Sequence, residues 1–183
     1  MPAAKAKSAT KTQDAIARLK ADHRAVEELF EQFEAASRSA SKQKLAQQIC
    51  QELIIHTMIE EEIFYPGVKD AVEDDMMDEA YVEHDGAKML IAEIMAGSPE
   101  DPFYDAKVKV LSEEIKHHVK EEEQRDGLFA QAKKGDVDLA ELGQQMAARK
   151  AELTKQFKAE GPSKPVTKSM TGAMPEVGRV VQI

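Results

Sequence analysis

The sequence predicts an all-α protein, an up-and-down antiparallel four-helix bundle with an additional C-terminal helix and flexible termini. Three observations lead there. Glu, Ala, Lys, Gln, Leu and Met dominate the middle of the 183 residues, while Gly and Pro cluster near the ends, a bias that favours helix. Apolar residues recur at spacings of three and four in five stretches, the period of a helix face. Short connections carrying Ser, Pro and Gly separate the stretches, and short connections join antiparallel neighbours. No stretch alternates with the period of a strand.

Residues 1–11 (MPAAKAKSATK) read as a flexible basic tail,. Thr12 can cap a first helix with Asp14 in its opening turn. Its face is Ile16, Leu19, His23, Val26, Phe30 and Phe33. Ser39 or Ser41 caps a second helix with the face Leu45, Ile49, Leu53, His56, Ile59, Glu60 and Ile63, stopped by Pro66 and Gly67,. A third helix over Asp74 to Ala96 aligns Met77, Ala80, Tyr81, His84, Ala87, Ile91 and Met95, and Gly97 ends it. Asp101 and Pro102 suit the cap and first position of a fourth helix. That helix runs through Val110, Glu114, His117, Glu121 and Leu128 to Gly135. A fifth amphipathic helix follows Asp136, with Leu139, Leu142, Met146, Leu153 and Phe157 on one side. The expected organisation is therefore a tail over 1–11, the bundle over 12–134, a C-terminal helix over 135–160 and a flexible tail over 161–183. The last helix suits either packing on the bundle or a homodimer contact.

The chain is 42% hydrophobic and 32% charged, with a net charge of −9. That acidity argues against a nucleic-acid partner, which needs basic surface. No run approaches the ~20 apolar residues of a membrane span, and Met1 to Thr12 lacks the apolar core of a signal peptide,. With the single cysteine Cys50 set in an apolar helical stretch, the reading is a cytoplasmic protein with an inert buried thiol.

An internal repeat carries the chemistry. At an offset of 61 residues, His23 maps onto His84, His56 onto His117 and Glu60 onto Glu121. Asp22 maps onto Glu83, and Glu60-Glu61-Glu62 onto Glu121-Glu122-Glu123. Residues four apart share a helix face, about 6 Å along the axis. His56 with Glu60, and His117 with Glu121, therefore point the same way. His23 and His84 interrupt apolar faces, so they too should point inward. His118 and Glu122 form a rival pair at the same spacing, but the repeat register favours His117 and Glu121.

Buried carboxylates without partners are costly, and metal ions in a bundle core remove that cost. The absence of thiolates speaks against structural zinc, and calcium and magnesium prefer all-oxygen shells. Imidazole mixed with carboxylate suits iron, with manganese and zinc behind it. The simplest arrangement is two Fe ions, one on His23 and His56 and the other on His84 and His117, bridged by Glu60 and Glu121 and by an oxo or hydroxo group. An open position would accept oxygen, peroxide or nitric oxide.

His23, His56-x-x-x-Glu60, His84 and His117-x-x-x-Glu121 resemble the hemerythrin-like family, the HHE cation-binding domain, over roughly residues 12–134. The resemblance implies a four-helix bundle with a non-haem di-iron centre. It implies oxygen carriage, sensing of oxygen or iron, a response to nitric oxide or oxidative stress, catalase-like peroxide breakdown, or iron handling such as storage and donation to damaged centres. The classical carriers place a second His four residues after the third-helix His, where this chain has Lys88, and an Asp five after the fourth-helix His. These departures point away from simple reversible carriage. The symmetric pattern looks more like the bacterial and iron-centre-repair branch, although residues 1–22 hold no Cys.

Around the ligands, Glu61, Glu62, Glu122 and Glu123 read as solvated faces. Glu114 can orient an imidazole or form a salt bridge, and Lys88 can reach an anion or snorkel outward. Tyr65 and Tyr81 lie near ligand turns, where they can hydrogen-bond the centre but read first as packing residues.

Overall fold

The computed structural model describes residues 13–161 and 165–170. The tail expected over 1–11 lies outside them. Seven α-helices and no strand occur among the described residues: α1 (Ala15–Ala35), α2 (Ser39–Ile59), α3 (Tyr65–Val68), α4 (Asp74–Ala96), α5 (Tyr104–Glu123), α6 (Leu128–Lys134) and α7 (Leu139–Glu160). None is long and apolar enough to cross a membrane. The bundle is built from α1, α2 with its extension into α3, α4 and α5, as the periodicity predicts.

Helix α1 buries the row that spacing assigns to it, α4 buries most of its row with Ile94 in place of Tyr81 and Met95, and α5 buries a different row from the one running through Val110, His117 and Glu121. In α1 the row is Ile16, Leu19, His23, Val26, Phe30 and Phe33, and in α4 it is Met77, Ala80, His84, Ala87, Ile91 and Ile94. Helix α1 starts at Asp14 rather than Thr12, because the Asp14 carboxylate accepts from Ala17 N–H at 2.8 Å and serves an otherwise unpaired first-turn donor,.

Further boundaries differ from expectation. Pro66 and Gly67 do not stop the second helix. The chain runs on through a π-helical turn (Glu60–Phe64), α3 and a 3₁₀ turn (Lys69–Ala71). In the π turn, Tyr65 N–H bonds the Glu60 carbonyl five residues back. Proline is tolerated in the first turn of the following helix, and Leu142 of α7 packs directly over Gly67. The fourth helix begins at Tyr104, after Phe103, which holds φ 67, instead of at Asp101–Pro102. The Asp101 carboxylate instead accepts from Ser98 N–H at 2.8 Å and shapes the preceding turn. That helix also ends at Glu123, well before Gly135. At Gly127 a Cβ would lie 2.0 Å from the Glu121 carbonyl oxygen and 2.9 Å from that of Glu122. The chain doubles back there, and α6 lays Phe129 against His23 with ring centroids 5.9 Å apart.

Helix α7 is capped by Asp138, whose carboxylate accepts from Ala140 and Glu141 N–H. Its apolar side, with Met146, Leu153 and Phe157, is buried within the chain against α1 and α2. Gly143 makes this close packing feasible, since a Cβ there would meet the Gln13 carbonyl at 2.7 Å. Arg149 ties α7 to the π turn through Glu62 at 2.7 Å. The tail expected over 161–183 includes a docked stretch: residues 165–170 lie against the bundle, with Asp85 of α4 accepting from the backbone N–H groups of Lys168, Ser169 and Met170.

Candidate metal centre

Four imidazoles meet between α1, α2, α4 and α5, each presenting Nε2 to the centre. His23 and His56 approach to 3.2 Å through these atoms, and so do His84 and His118. Two carboxylates complete the group. Glu60 Oε2 lies 3.1 Å from His56 Nε2 and 3.3 Å from His84 Nε2, so it spans the two imidazole pairs. Glu122 Oε2 lies 3.4 Å from His23 Nε2 and 3.7 Å from His118 Nε2, spanning them from the other side. All six side chains are buried.

Four of the six expected ligands, His23, His56, Glu60 and His84, are brought together here. His117 and Glu121 are not. The His117 side chain is 59% exposed and contacts Glu83 and Glu121 outside the core. His118 and Glu122 occupy the inward positions instead. The connections explain the correction. From α1 to α2 the chain crosses three residues (36–38), and His56 lies 17 residues into α2. From α4 to α5 it crosses seven (97–103), and His118 lies 14 residues into α5. Four more in the connection and three fewer in the helix leave a net shift of one, so the repeat offset is 61 before the connection and 62 after it. One residue turns a helix by about 100°, enough to move His117 to the outside. The sequence held a signal for this: Val108, Leu111, Ile115 and Val119 form the buried row of α5. That row selects His118 and Glu122 over His117 and Glu121.

A second layer holds three of the four rings. His23 Nδ1 meets Glu123 at 2.8 Å, His84 Nδ1 meets Glu61 at 3.0 Å, and His118 Nδ1 meets Glu83 at 2.8 Å. His56 Nδ1 faces Asp22 at 3.9 Å, beyond hydrogen-bond reach. A proton on Nδ1 donated to a carboxylate leaves the Nε2 lone pair free, the tautomer a metal ligand needs. The carboxylates are steadied in turn. Lys20 and Arg24 hold Glu123, Lys150 from α7 holds Asp22 at 2.7 Å, and Lys88 holds Glu61 at 2.6 Å. Glu61, Glu123 and Lys88, which the sequence suggested were solvated or peripheral, are thus part of the site. So is Tyr65. The π turn places its hydroxyl 3.2 Å from His84 Nε2, and it donates to Glu122 Oε1 at 3.2 Å. Glu114 has no contact with a central imidazole.

The electrostatics suit a bound cation. Both oxygens of Glu60 and Oε2 of Glu122 are buried without a hydrogen-bond partner, a costly condition for carboxylates. Burial, then the Glu122 charge, push the Glu60 carboxyl well above its usual range. Burial also acts on Glu122, but His118 and His23 outweigh it and hold that carboxyl down to about 2. Burial lowers the His56 imidazole to about 4 and also lowers His84. On His118 burial is outweighed by Glu122 and Glu83, which hold the ring above its ordinary value. Imidazoles facing paired carboxylates fit divalent or trivalent cations, and His23, His56 and Glu60, and likewise Glu60, His84 and His118, each converge within 4.8 Å. Beside them lies a cavity of about 20 Å³ lined by His23, Val26, Leu53, His56, Thr57 and His118 among others. A cavity of that size holds a molecule about as large as water.

Comparison with known proteins agrees with this geometry. A model of the hemerythrin HHE cation binding domain matches residues 14–132. The fold is similar to the crystal structure of a hemerythrin HHE cation binding domain-containing protein from Mycobacterium kansasii. The TM-score is 0.69 at 25% identity, over 82% of this chain and 95% of that one. A Nostoc sp. protein named DNA nickase is 31% identical over 105 residues, 57% of this chain but 30% of that protein. This chain thus spans less than a third of that relative's length. The family match takes in both imidazole pairs and both central glutamates, and the chain belongs to the hemerythrin HHE cation binding domain family.

Proposed function

We propose that this is a cytoplasmic non-haem di-iron protein that binds or reacts with oxygen, peroxide or nitric oxide in stress response or sensing. The observation that carries the reading is the pairing of buried Nε2 atoms across two carboxylates with unpartnered oxygens, beside a cavity of about 20 Å³. His23 and His56 would hold one ion, and His84 and His118 the other. Glu60 and Glu122 each face both. Iron bound there supplies a redox-active Lewis acid with room for one small ligand.

The chain's own residues do the rest. Glu123, Glu61 and Glu83 fix the orientation of the His23, His84 and His118 rings, and Asp22 faces His56. Val26, Leu53 and Thr57 limit the cavity to a small occupant and restrict water. Tyr65, whose pKa burial and the Glu122 charge raise well above its usual value, keeps its proton and donates it toward Glu122 Oε1. A hydroxyl held at the centre favours, as a second reading, a peroxide-degrading activity. Removing it as Tyr65→Phe would then slow oxygen evolution while leaving metal content intact.

The first experiment is metal analysis with the visible spectrum on protein made in iron-replete cells. About two irons per chain, with charge-transfer absorption that shifts on adding azide or nitric oxide, is the expected result. Zinc alone, or a protein that stays colourless after iron loading, ends the proposal.

A further inference from the structure

The two halves of the centre are built alike but finished differently. On the His23 side, Glu123 is held by Lys20 and Arg24 at 3.0 and 2.6 Å, and those cations are 40% and 53% exposed. On the His84 side, Glu61 is held by Lys88, which is buried. Where the first half has Arg24 directly after its His, the second has Asp85, fully buried. Asp85 accepts from Lys88 Nζ at 3.2 Å and binds the C-terminal segment. Its Oδ2 receives Lys168 N–H at 2.9 Å, Ser169 N–H at 2.5 Å, Ser169 Oγ–H at 2.7 Å and Met170 N–H at 3.0 Å. A buried carboxylate with this many charge-assisted bonds is a strong anchor.

The anchored segment reaches the centre. Lys168 Nζ lies over the Tyr81 ring at 5.0 Å, 3.4 Å from Glu61 Oε2 and 3.3 Å from the Glu61 carbonyl oxygen. Five residues on from that carbonyl stands Pro66, which has no N–H to offer it within the π turn. Beneath the segment lies a cavity of about 270 Å³, walled by Thr57, Glu61, Lys88, Val166 and Lys168. Thr57 also walls the small cavity beside the four imidazoles.

We propose that residues 165–170 are a strap that completes the His84 half of the centre, with Asp85 as its anchor and Lys168 as a positioning residue that holds the Glu61 carboxylate on His84 Nδ1. The inference rests on the metal-binding reading above. Two ions bound by the same ligand types then sit in unequal surroundings, one backed by cations at the surface and the other by a cation network roofed by the strap. Loss of Lys168 loosens Glu61 and so the ring it orients. Loss of an outer partner of a metal-bound His weakens metal binding by roughly 10–100-fold.

The test uses full-length protein loaded with cobalt(II), with transfer to EDTA followed through the d–d bands. Wild type releases its cobalt in two phases. Lys168→Ala speeds the slower phase by about 10-fold, Lys168→Arg restores it, and Arg24→Ala speeds the other phase alone. Hydrogen exchange on unaltered protein gives a second readout, in which the amides of Lys168, Ser169 and Met170 are protected. Unchanged release from Lys168→Ala, or unprotected amides in the wild type, overturns the strap while leaving the metal centre standing. Wild-type protein that takes up no cobalt removes both.

Discussion

Replacing Glu60 by Gln should make the metal-stripped protein more stable and the metal-loaded protein less so. Glu60 is fully buried, and neither of its oxygens has a hydrogen-bond partner. Without metal, folding must either strand a charge there or draw a proton onto it, the outcome that burial and the nearby Glu122 charge both favour. An unsatisfied buried polar group costs about 1–3 kcal/mol, so a neutral isostere should recover about 2 kcal/mol. For a chain of this size that raises the melting temperature by roughly 4–8 °C. With metal present the order reverses. Wild type gains about 2.7 kcal/mol when free metal is 100 times its dissociation constant, and Glu60→Gln, lacking a carboxylate that faces both imidazole pairs, gains little. Thermal melts of both proteins, stripped with chelator and then reloaded, read the crossing directly. A stripped variant that melts at or below wild type, or a variant that keeps its full metal content, would refute the reasoning.

Other perturbations test neighbouring steps. His118→Ala should weaken metal binding by more than the ~100-fold reached by outer partners, while His117→Ala keeps full stoichiometry in metal analysis; equal losses would restore the other register. Gly127→Ala places a Cβ 2.0 Å from the Glu121 carbonyl oxygen. It should cost about 1–3 kcal/mol in a denaturant titration and lower metal content by shifting the end of α5 that carries Glu122. Cys50 is buried, and burial pushes its thiol up to about 12 from an ordinary 9.0. The unfolded chain therefore loses this proton first, and stability falls as pH rises above 9.0, by up to ~1.4 kcal/mol per unit. Denaturation curves of wild type minus Cys50→Ala should show that slope, and an identical pH dependence in the two proteins would deny it.

Much of this was legible in the sequence where packing is local. The C-terminal end of α4 follows from Gly97, and the inward placement of His23, His56, Glu60 and His84 follows from helical spacing. The inward residues of α5 are not given by the repeat, because the repeat is not a rigid copy: Val110 is exposed and the row from Val108 to Val119 is buried. The π turn was not legible, because its five-residue hydrogen bond is fixed by how Glu60, Phe64 and Tyr65 all come to be buried. Nor were the partners of Asp85 legible. They are backbone N–H groups more than 80 residues away, and Pro165 to Met170 has no periodicity to announce a docking site.

The carboxylates behind His23 and His84 are exchanged between the halves. Glu61, from the first helix pair, serves His84 of the second, and Glu123, from the second, serves His23 of the first. Neither hairpin owns a finished set, so the chain carries the interdependence of a two-fold dimer within one molecule. Cut between α3 and α4, each fragment would keep two imidazoles but lose the group that aims one of them. Competence would return only on reassociation of the two fragments.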